Sequence, residues 1–515
     1  MTIYEKETLF ESLEDTFCGI KAYIEGAVGR EELHEVEVAL FRKLQRLGRE
    51  FLEAFIAMSG TGYEPGNPPL SEDGRKMKYK GIDPKGSPYL SIFGEIRIYR
   101  AAFAHPDGGR QYPIDGQLNL PDHKYSYLLL KWLQKASAEE DFHTAVDRFN
   151  EIFGFSFFPD LPHSQGLPIA EYVEPFYDQV EAPLVQTEGS HIAISADCKG
   201  VRILKSEREQ TEPETPVKAR RGKGEKPGIK KDAVVVTDFS FDPHPRDAQE
   251  IVKGLLNQFT EKEQEQAKKD RQQRRKEGLS EPREPHNKHV FATLEGKKAA
   301  FSHLLDRVEK RDPQGQKPLA VLLDGDPYLE DGLLKQLKIR GLADRVDAWI
   351  LDIIHACEYL WPVATALSGE KDPNRVKWME TKLYALLDSK VGYVMGGLKQ
   401  IRTKNRLSRH QKNVIQKAIT YFENHQHMMD YATYLEKGYP IATGVVEGTC
   451  GSLVKDRMEQ SGMRWSIVGA QAVLAQRAVV KNGDWDSFFT YYIDSERNRL
   501  YPTIYERSSP YQNAA

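Results

Sequence analysis

Two short apolar runs, each closing on an aspartate, constrain this chain more than any other feature. Ile192-Ala-Ile-Ser-Ala leads directly into Asp197, and Leu319-Ala-Val-Leu-Leu leads into Asp324. Runs of this length, rich in Ile, Val and Leu, read as buried strands. A carboxylate at the end of such a strand rises out of an apolar layer, and two that converge repel each other. At ~4 Å and an effective dielectric of ~20, two like charges cost ~4 kcal/mol. A divalent cation between them reverses that cost. Hard oxygen ligands suit Mg2+ or Mn2+, and two such ions about 3.5–4 Å apart can drive phosphodiester chemistry. A third carboxylate, Glu447, stands in Thr443-Gly-Val-Val-Glu447-Gly-Thr-Cys, where Thr443 can cap a helix that carries it. Asp326 rivals Asp324. Asp324 is preferred because it ends the apolar run directly and precedes a glycine. An isolated Asp after a strand is usually a cap or turn residue; the ordered set of three is what points to a metal.

Composition narrows the setting. A chain of 515 residues has room for about three or four domains or subdomains. Its 72 basic and 76 acidic side chains leave a net charge of −4, so a nucleic-acid surface would need an uneven distribution of charge. Cys18, Cys198, Cys357 and Cys450 lie far apart, which argues for a reducing cytosol and against a disulfide framework or a zinc ribbon. No apolar run approaches ~18 uncharged residues, so no membrane span is expected. The start, Met-Thr-Ile-Tyr-Glu-Lys, lacks the layout of a signal peptide. A cytoplasmic protein is the expectation.

Along the chain, residues 1–60 read as a helical N-terminal region. Leu33, Val36, Leu40, Leu44, Leu47, Phe51 and Phe55 recur on one helix face, either packed on the rest of the chain or used for self-association. Residues 61–188 hold a β-hairpin around Gly94 and two helices, about 125–154, joined tightly enough for a helix-turn-helix or an ordinary helical pair. From about Gly189 the pattern becomes α/β. His191 to Ala196 reads as one strand, Gly200-Val-Arg-Ile-Leu as the next, and Val346 to Leu351 as a later one. Between the second of these and Ala233-Val-Val-Val lies a polar excursion. Its end, Lys218 to Lys231, has seven basic residues and one acidic one, including Lys218, Arg220, Arg221 and Lys223. It is either a solvated loop or one that settles on DNA phosphates. The charged run from Glu261 to Arg283 mixes both signs and reads as an exposed helix. Residues 372–438 form an all-helical insertion, 439–480 the closing helices of the α/β core that opens with 189–371, and 481–515 a C-terminal tail.

The ordered carboxylates resemble the Asp-Asp-Glu core of transposases with a ribonuclease-H-like fold. The match is to the ISKra type of bacterial insertion-sequence transposase, within the Mutator-like set, from about Ser190 to Val480. It is strongest over Tyr439-Pro-Ile-Ala-Thr-Gly-Val-Val-Glu447 and Leu453-Val-Lys-Asp-Arg-Met-Glu-Gln-Ser-Gly-Met-Arg-Trp465. The resemblance implies Asp197, Asp324 and Glu447 as catalytic residues holding two Mg2+ or Mn2+ ions. Its Asp-x-x-His signature falls on Asp352 and His355, which are auxiliary here and not taken as metal ligands. On one α-helix with Glu447, Lys455 and Arg457 would sit roughly 80° to either side of it. They could flank DNA, while Arg464 could bind phosphate and Trp465 stack on an unpaired base. A basic helix end with a core Trp is the plain alternative for these residues. Relatives often carry Cys-x-x-Cys pairs near the hairpin, but Phe103-Ala-His-Pro-Asp-Gly-Gly has no cysteine, so no zinc is expected. The implied partners are the element's terminal repeats, target DNA and further copies of the chain, with no membrane. Two other functions remain open: a ribonuclease-H-like nuclease that cuts without joining, and a non-catalytic DNA-binding descendant.

Overall fold

The computed structural model describes residues 3–70, 74–105, 108–210, 230–277, 285–404, 406–442, 448 and 450–502. The chain is mixed α/β and divides into two compact units, residues 1–176 with 483–515, and residues 177–482.

In the first unit, helices Ile3–Ala27 and Leu33–Ser59 pack on one another. Leu13, Ile20 and Ala27, seven residues apart, are buried, while Leu33, Leu44, Phe51 and Phe55 of the expected stripe stay exposed. Strands β1 (Lys78–Ile82), β4 (Ala101–Ala104) and β5 (Arg110–Gln111) form a small antiparallel sheet, and β2 (Ser87–Ser91) and β3 (Gly94–Ile98) form a separate hairpin. Gly94 adopts φ +119°, which a side chain would resist, and so closes the turn. Helices Tyr127–Glu139 and Phe142–Phe153 begin at the capping side chains of Ser126 and Asp141 and share Leu129, Leu133, Val146 and Phe149. The expected tail is instead a helix, Trp485–Leu500. It belongs to this unit, with Phe488 against Phe176 and the Trp485 indole N–H donating to the Lys131 carbonyl.

The second unit is built on a five-stranded mixed sheet among the described residues. Its strands are β6 (His191–Arg202), β7 (Lys230–Phe241), β8 (His286–Thr293), β9 (Leu319–Leu323) and β10 (Val346–Leu351), in the order β10-β9-β6-β7-β8. The meander β6–β7–β8 is antiparallel, and β9 and β10 add in parallel beside β6. Every residue of β9 is buried, as a strand covered on both faces requires. Helix Lys297–Arg311 sets Phe301, Leu304, Leu305 and Val308 into the same core as Val234, Val236 and the β9 residues. Helices Pro327–Ile339 and Ile353–Ser368 follow β9 and β10.

One strand expectation is corrected. β6 does not stop at Asp197; it runs unbroken through Gly200 to Arg202, paired along its whole length with β7. Gly200 reads as a break in sequence, yet a two-stranded ladder this long holds it in extended conformation. Within residues 372–438 the helices are Asn374–Leu387, Val391–Lys404, Arg409–His425 and Tyr431–Glu436. Glu261–Lys276 is an exposed helix. Beyond the sheet, Cys450–Lys455 is π-helical and Asp456–Met458 is a short α-turn, so the angles expected for Lys455 and Arg457 on one α-helix do not apply. No described helix is long and apolar enough to cross a membrane.

Candidate metal-binding carboxylate site

Strand register brings the two aspartates together. Ala196 of β6 pairs with Leu323 of β9, and Leu351 of β10 pairs with the same Leu323. One residue further on stand Asp197, Asp324 and Asp352. Neighbouring strands lie about 4.8 Å apart, and side chains at one register share a face. β9 ends at Leu323, whereas β6 continues with Asp197 opposite Val235 of β7. Asp324 therefore sits just where the layer beside Asp197 opens.

Each of these two carboxylates spends one oxygen on a backbone amide. Asp197 Oδ1 accepts from the Cys198 N–H at 2.6 Å, and Asp324 Oδ1 accepts from the Asp326 N–H at 2.8 Å. Both residues are half-buried, and neither is in an ion pair with a described residue. Burial pushes the Asp324 carboxyl above its ordinary range, and the charges of Asp197 and Asp326 push the same way against the Asp326 amide and His355. The Cys198 thiol is pushed up to about 12, by burial first, with Asp232, Asp326 and Asp197 adding and Lys297 opposing.

Asp326 has a different task. Its side chain accepts from the Tyr328 N–H at 2.8 Å and caps helix Pro327–Ile339, whose first residue is proline. Between the two aspartates Gly325 holds φ +90°, and a Cβ there would meet Tyr421 Oη at 3.0 Å and His425 Nε2 at 3.1 Å. The turn thus needs glycine twice over, for its backbone and for its close approach to helix Arg409–His425.

That helix buttresses the site. The Tyr421 hydroxyl donates to the Asp324 carbonyl at 2.6 Å, and its ring stacks on Tyr359 with centroids 3.7 Å apart. Tyr431 donates to the Leu351 carbonyl and Tyr434 to the Trp349 carbonyl, both at 2.8 Å. Three tyrosines from the 372–438 region thus satisfy carbonyls at the ends of β9 and β10. Sequence reasoning missed them. Their one signal was a hydroxyl carried on an otherwise apolar helix face, which must find a partner when buried.

Asp352 is fully buried. Its side chain accepts from the Ile354 N–H at 2.7 Å and caps helix Ile353–Ser368, while its own N–H donates to the Leu323 carbonyl. His355, on the first turn of that helix, acts electrostatically on Asp324 and places Nδ1 3.2 Å from Glu358.

The expected DNA contacts divide. Lys455 and Arg464 are exposed. Arg457 and Trp465 are corrected: Arg457 is fully buried, with its guanidinium 4.9 Å from the Trp465 ring centre, and Trp465 is 7% exposed. Trp465 also exchanges backbone hydrogen bonds with Arg202 and Leu204 at the end of β6, and its indole donates to the Met458 carbonyl. A cation held under a buried indole ties the C-terminal segment to the sheet and is closed to DNA. Glu447, Lys218, Arg220, Arg221 and Lys223 lie outside the described residues.

Among the described residues no group of three or more His, Cys, Asp or Glu is arranged to hold a metal ion. Asp197 and Asp324 nevertheless fit a hard cation. Each keeps one oxygen without a hydrogen-bond partner among the described residues, and each raises the electrostatic cost of the other. No protein-family model matches this chain, and no curated protein matches it.

Proposed function

We propose that this chain is a metal-dependent DNA transposase that cuts the ends of an insertion element and joins them to target DNA. The observation that carries the reading is the pair Asp197 and Asp324, each one residue past the paired Ala196 and Leu323 of adjacent parallel strands, with no ion-pair partner among the described residues. The mixed sheet is compatible with the ribonuclease-H-like core that the sequence resembles. The order of Asp197, Asp324 and Glu447 along the chain supplies the third ligand.

Asp197, Asp324 and Glu447 would hold the divalent cations. Ions bound there would supply charge neutralisation at the phosphate and activation of an oxygen nucleophile. Asp352 fixes the start of the helix that carries His355, and His355 would contact a phosphate or leaving oxygen near Asp324. Tyr421 and Gly325 hold the Asp324 turn in one conformation. Water first cuts the strand at the element end. The freed 3′-hydroxyl then attacks target DNA. Both steps are in-line displacements at phosphorus, so one site serves both. Two element ends need two such sites, which implies assembly of at least two copies on DNA.

Incubating the purified chain with candidate element ends, target duplex and Mn2+ tests this. Nicked ends and joined products are the expected outcome. Cutting without joining would convert the reading to a nuclease, and neither product would remove it.

A further inference from the structure

A second charged feature remains unused by the site as described. Between Lys399 and Phe422 the chain holds seven Lys and Arg and no Asp or Glu. The stretch covers the end of helix Val391–Lys404 and most of helix Arg409–His425. Lys399 pairs with Glu423 at 2.6 Å. Arg406, Arg409, Lys412 and Lys417 are exposed and form no ion pair with a described residue.

The helix explains this arrangement. Ile415, Ala418, Ile419, Tyr421, Phe422 and His425 are buried, which fixes one face inward. At 100° per residue, Arg409, Lys412, Asn413, Gln416, Lys417 and Thr420 fall within an arc of about 140° on the opposite face. That face offers hydrogen-bond donors and positive charge, and its one carboxylate, Glu423, is already paired with Lys399. Helix Glu261–Lys276 is the contrast, for four Glu and Asp are interspersed among its Lys and Arg and Lys269 pairs with Glu265. The first amides of helix Arg409–His425 are not what a ligand would use, because Ser408 and Gln411 already close them in a capping box. The side-chain cations carry the charge.

The same helix delivers Tyr421 to the Asp324 carbonyl and His425 to Gly325. Arg409 lies about 18 Å along the axis from Tyr421 at 1.5 Å per residue. That span is about five base pairs of duplex at 3.4 Å each. We infer that the solvent face of helix Arg409–His425, with Arg406 ahead of it, is a second DNA contact. It grips backbone phosphates of the duplex whose reacting phosphate lies at Asp197 and Asp324. The inference rests on the transposase reading and adds to it the surface that positions the substrate.

Binding without chemistry tests it. Affinity of the full chain for a random-sequence duplex and for an element-end duplex is measured against salt concentration in EDTA. The variant R406Q/R409Q/K412Q/K417Q should weaken binding to both duplexes alike and flatten the slope of log K against log salt by up to about 3–4 units, at about 0.9 per phosphate contact. A charge-matched variant, K262Q/K268Q/R271Q/K276Q, removes four exposed cations from the mixed helix and should leave the slope unchanged. R409Q alone should flatten it by about one unit and guards against misfolding of the fourfold variant. An unchanged slope in both R409Q and the fourfold variant overturns the inference. Equal flattening in the charge-matched variant overturns it as well, since net charge would then be the cause. A wild-type chain whose steep slope depends on these four residues, yet which makes no cut with Mn2+, leaves the DNA contact standing and removes the transposase reading.

Discussion

Two carboxylate pairs, one buried and one half-buried, lie beside the same sheet and are treated in opposite ways. Near the start of β6, Asp238 and Glu188 are fully neutralised. Arg311 reaches Asp238 at 2.6 Å and holds Glu188 through two nitrogens at 2.8 and 3.0 Å, and Arg307 reaches the other Asp238 oxygen at 2.9 Å. Further along, where β9 stops, Asp197 and Asp324 face each other with no cation among the described residues to pair with. The first cluster shows that this fold can bring arginine to a buried carboxylate. Leaving the second pair unmatched among the described residues costs stability, which is the physical ground for proposing a bound cation there. One cluster belongs to the folded state; the other is the site proposed above for a cation.

Substitution should therefore separate the two pairs sharply. Asp197→Asn and Asp324→Asn should abolish Mn2+-dependent cleavage while the protein stays folded, because removing a charge there relieves repulsion. Arg311→Met should destabilise by about 3–5 kcal/mol, since Asp238 and Glu188 would remain buried without their partner. Urea unfolding and a cleavage assay on the same preparations read both effects. A folded Asp324→Asn chain that still cuts DNA breaks the comparison.

The two regions should also respond oppositely to acid. Beside Asp238, His289 Nε2 lies 3.1 Å from His303 Nε2, and the His303 ring stacks on Phe291. Burial, with Arg307 and Lys310 adding and Asp238 and Asp306 opposing, pushes His303 down to about 4. The unfolded chain takes up that proton near 6.5, so the stability it contributes is present above 6.5 and lost as pH falls through about 4. The loss amounts to about 3 kcal/mol at ~1.36 kcal/mol per unit. Asp324 runs the other way. Its folded pKa is raised, so its contribution is full below the unfolded carboxylate value and is lost as pH rises through the folded one. Unfolding midpoints against pH should show a smaller acid loss in His303→Gln. In Asp324→Asn the decline through the carboxylate range should vanish. Identical profiles for wild type and both variants would refute the contrast.

Much of this site was legible in residues 319–324 and 346–352, where continuous apolar runs mark strands buried on both faces. What escaped the sequence depends on distant partners. β6 runs through Gly200 because β7 pairs with it from residues far along the chain. Arg457 and Trp465 look like a DNA-binding pair until the end of β6 is seen to enclose them. The basic face of helix Arg409–His425 was visible as composition, but its meaning required knowing which face is buried. Glu447 stays a statement of sequence alone.

The buttress beneath Asp324 should yield a smaller effect. Tyr421→Phe removes the hydroxyl that donates to the Asp324 carbonyl and keeps the ring stacked on Tyr359. The expected loss is about 1 kcal/mol, near that of an ordinary hydrogen bond, with cleavage slowed rather than lost. Chemical denaturation with single-turnover cleavage would measure both. No change in either would mean the carbonyl is satisfied without the tyrosine.

The smallest effect sharpens the comparison most finely, because it separates two carboxylates two residues apart. Asp324 keeps one oxygen without a hydrogen-bond partner among the described residues, whereas Asp326 turns its side chain onto the Tyr328 amide and starts the next helix. Loss of such a cap costs about 1 kcal/mol, within a range of ~0.5–2. Asp326→Ala should therefore lower stability by that amount and keep cleavage near the wild-type rate. Asp326→Ser restores a capping oxygen without the charge and should recover most of the stability. The charge of Asp326 also raises Asp324, so both variants should ease the Asp324 carboxyl back toward its ordinary range. If Asp326→Ala is inactive while Asp324→Asn still cuts, the cap and the ligand have been assigned the wrong way round.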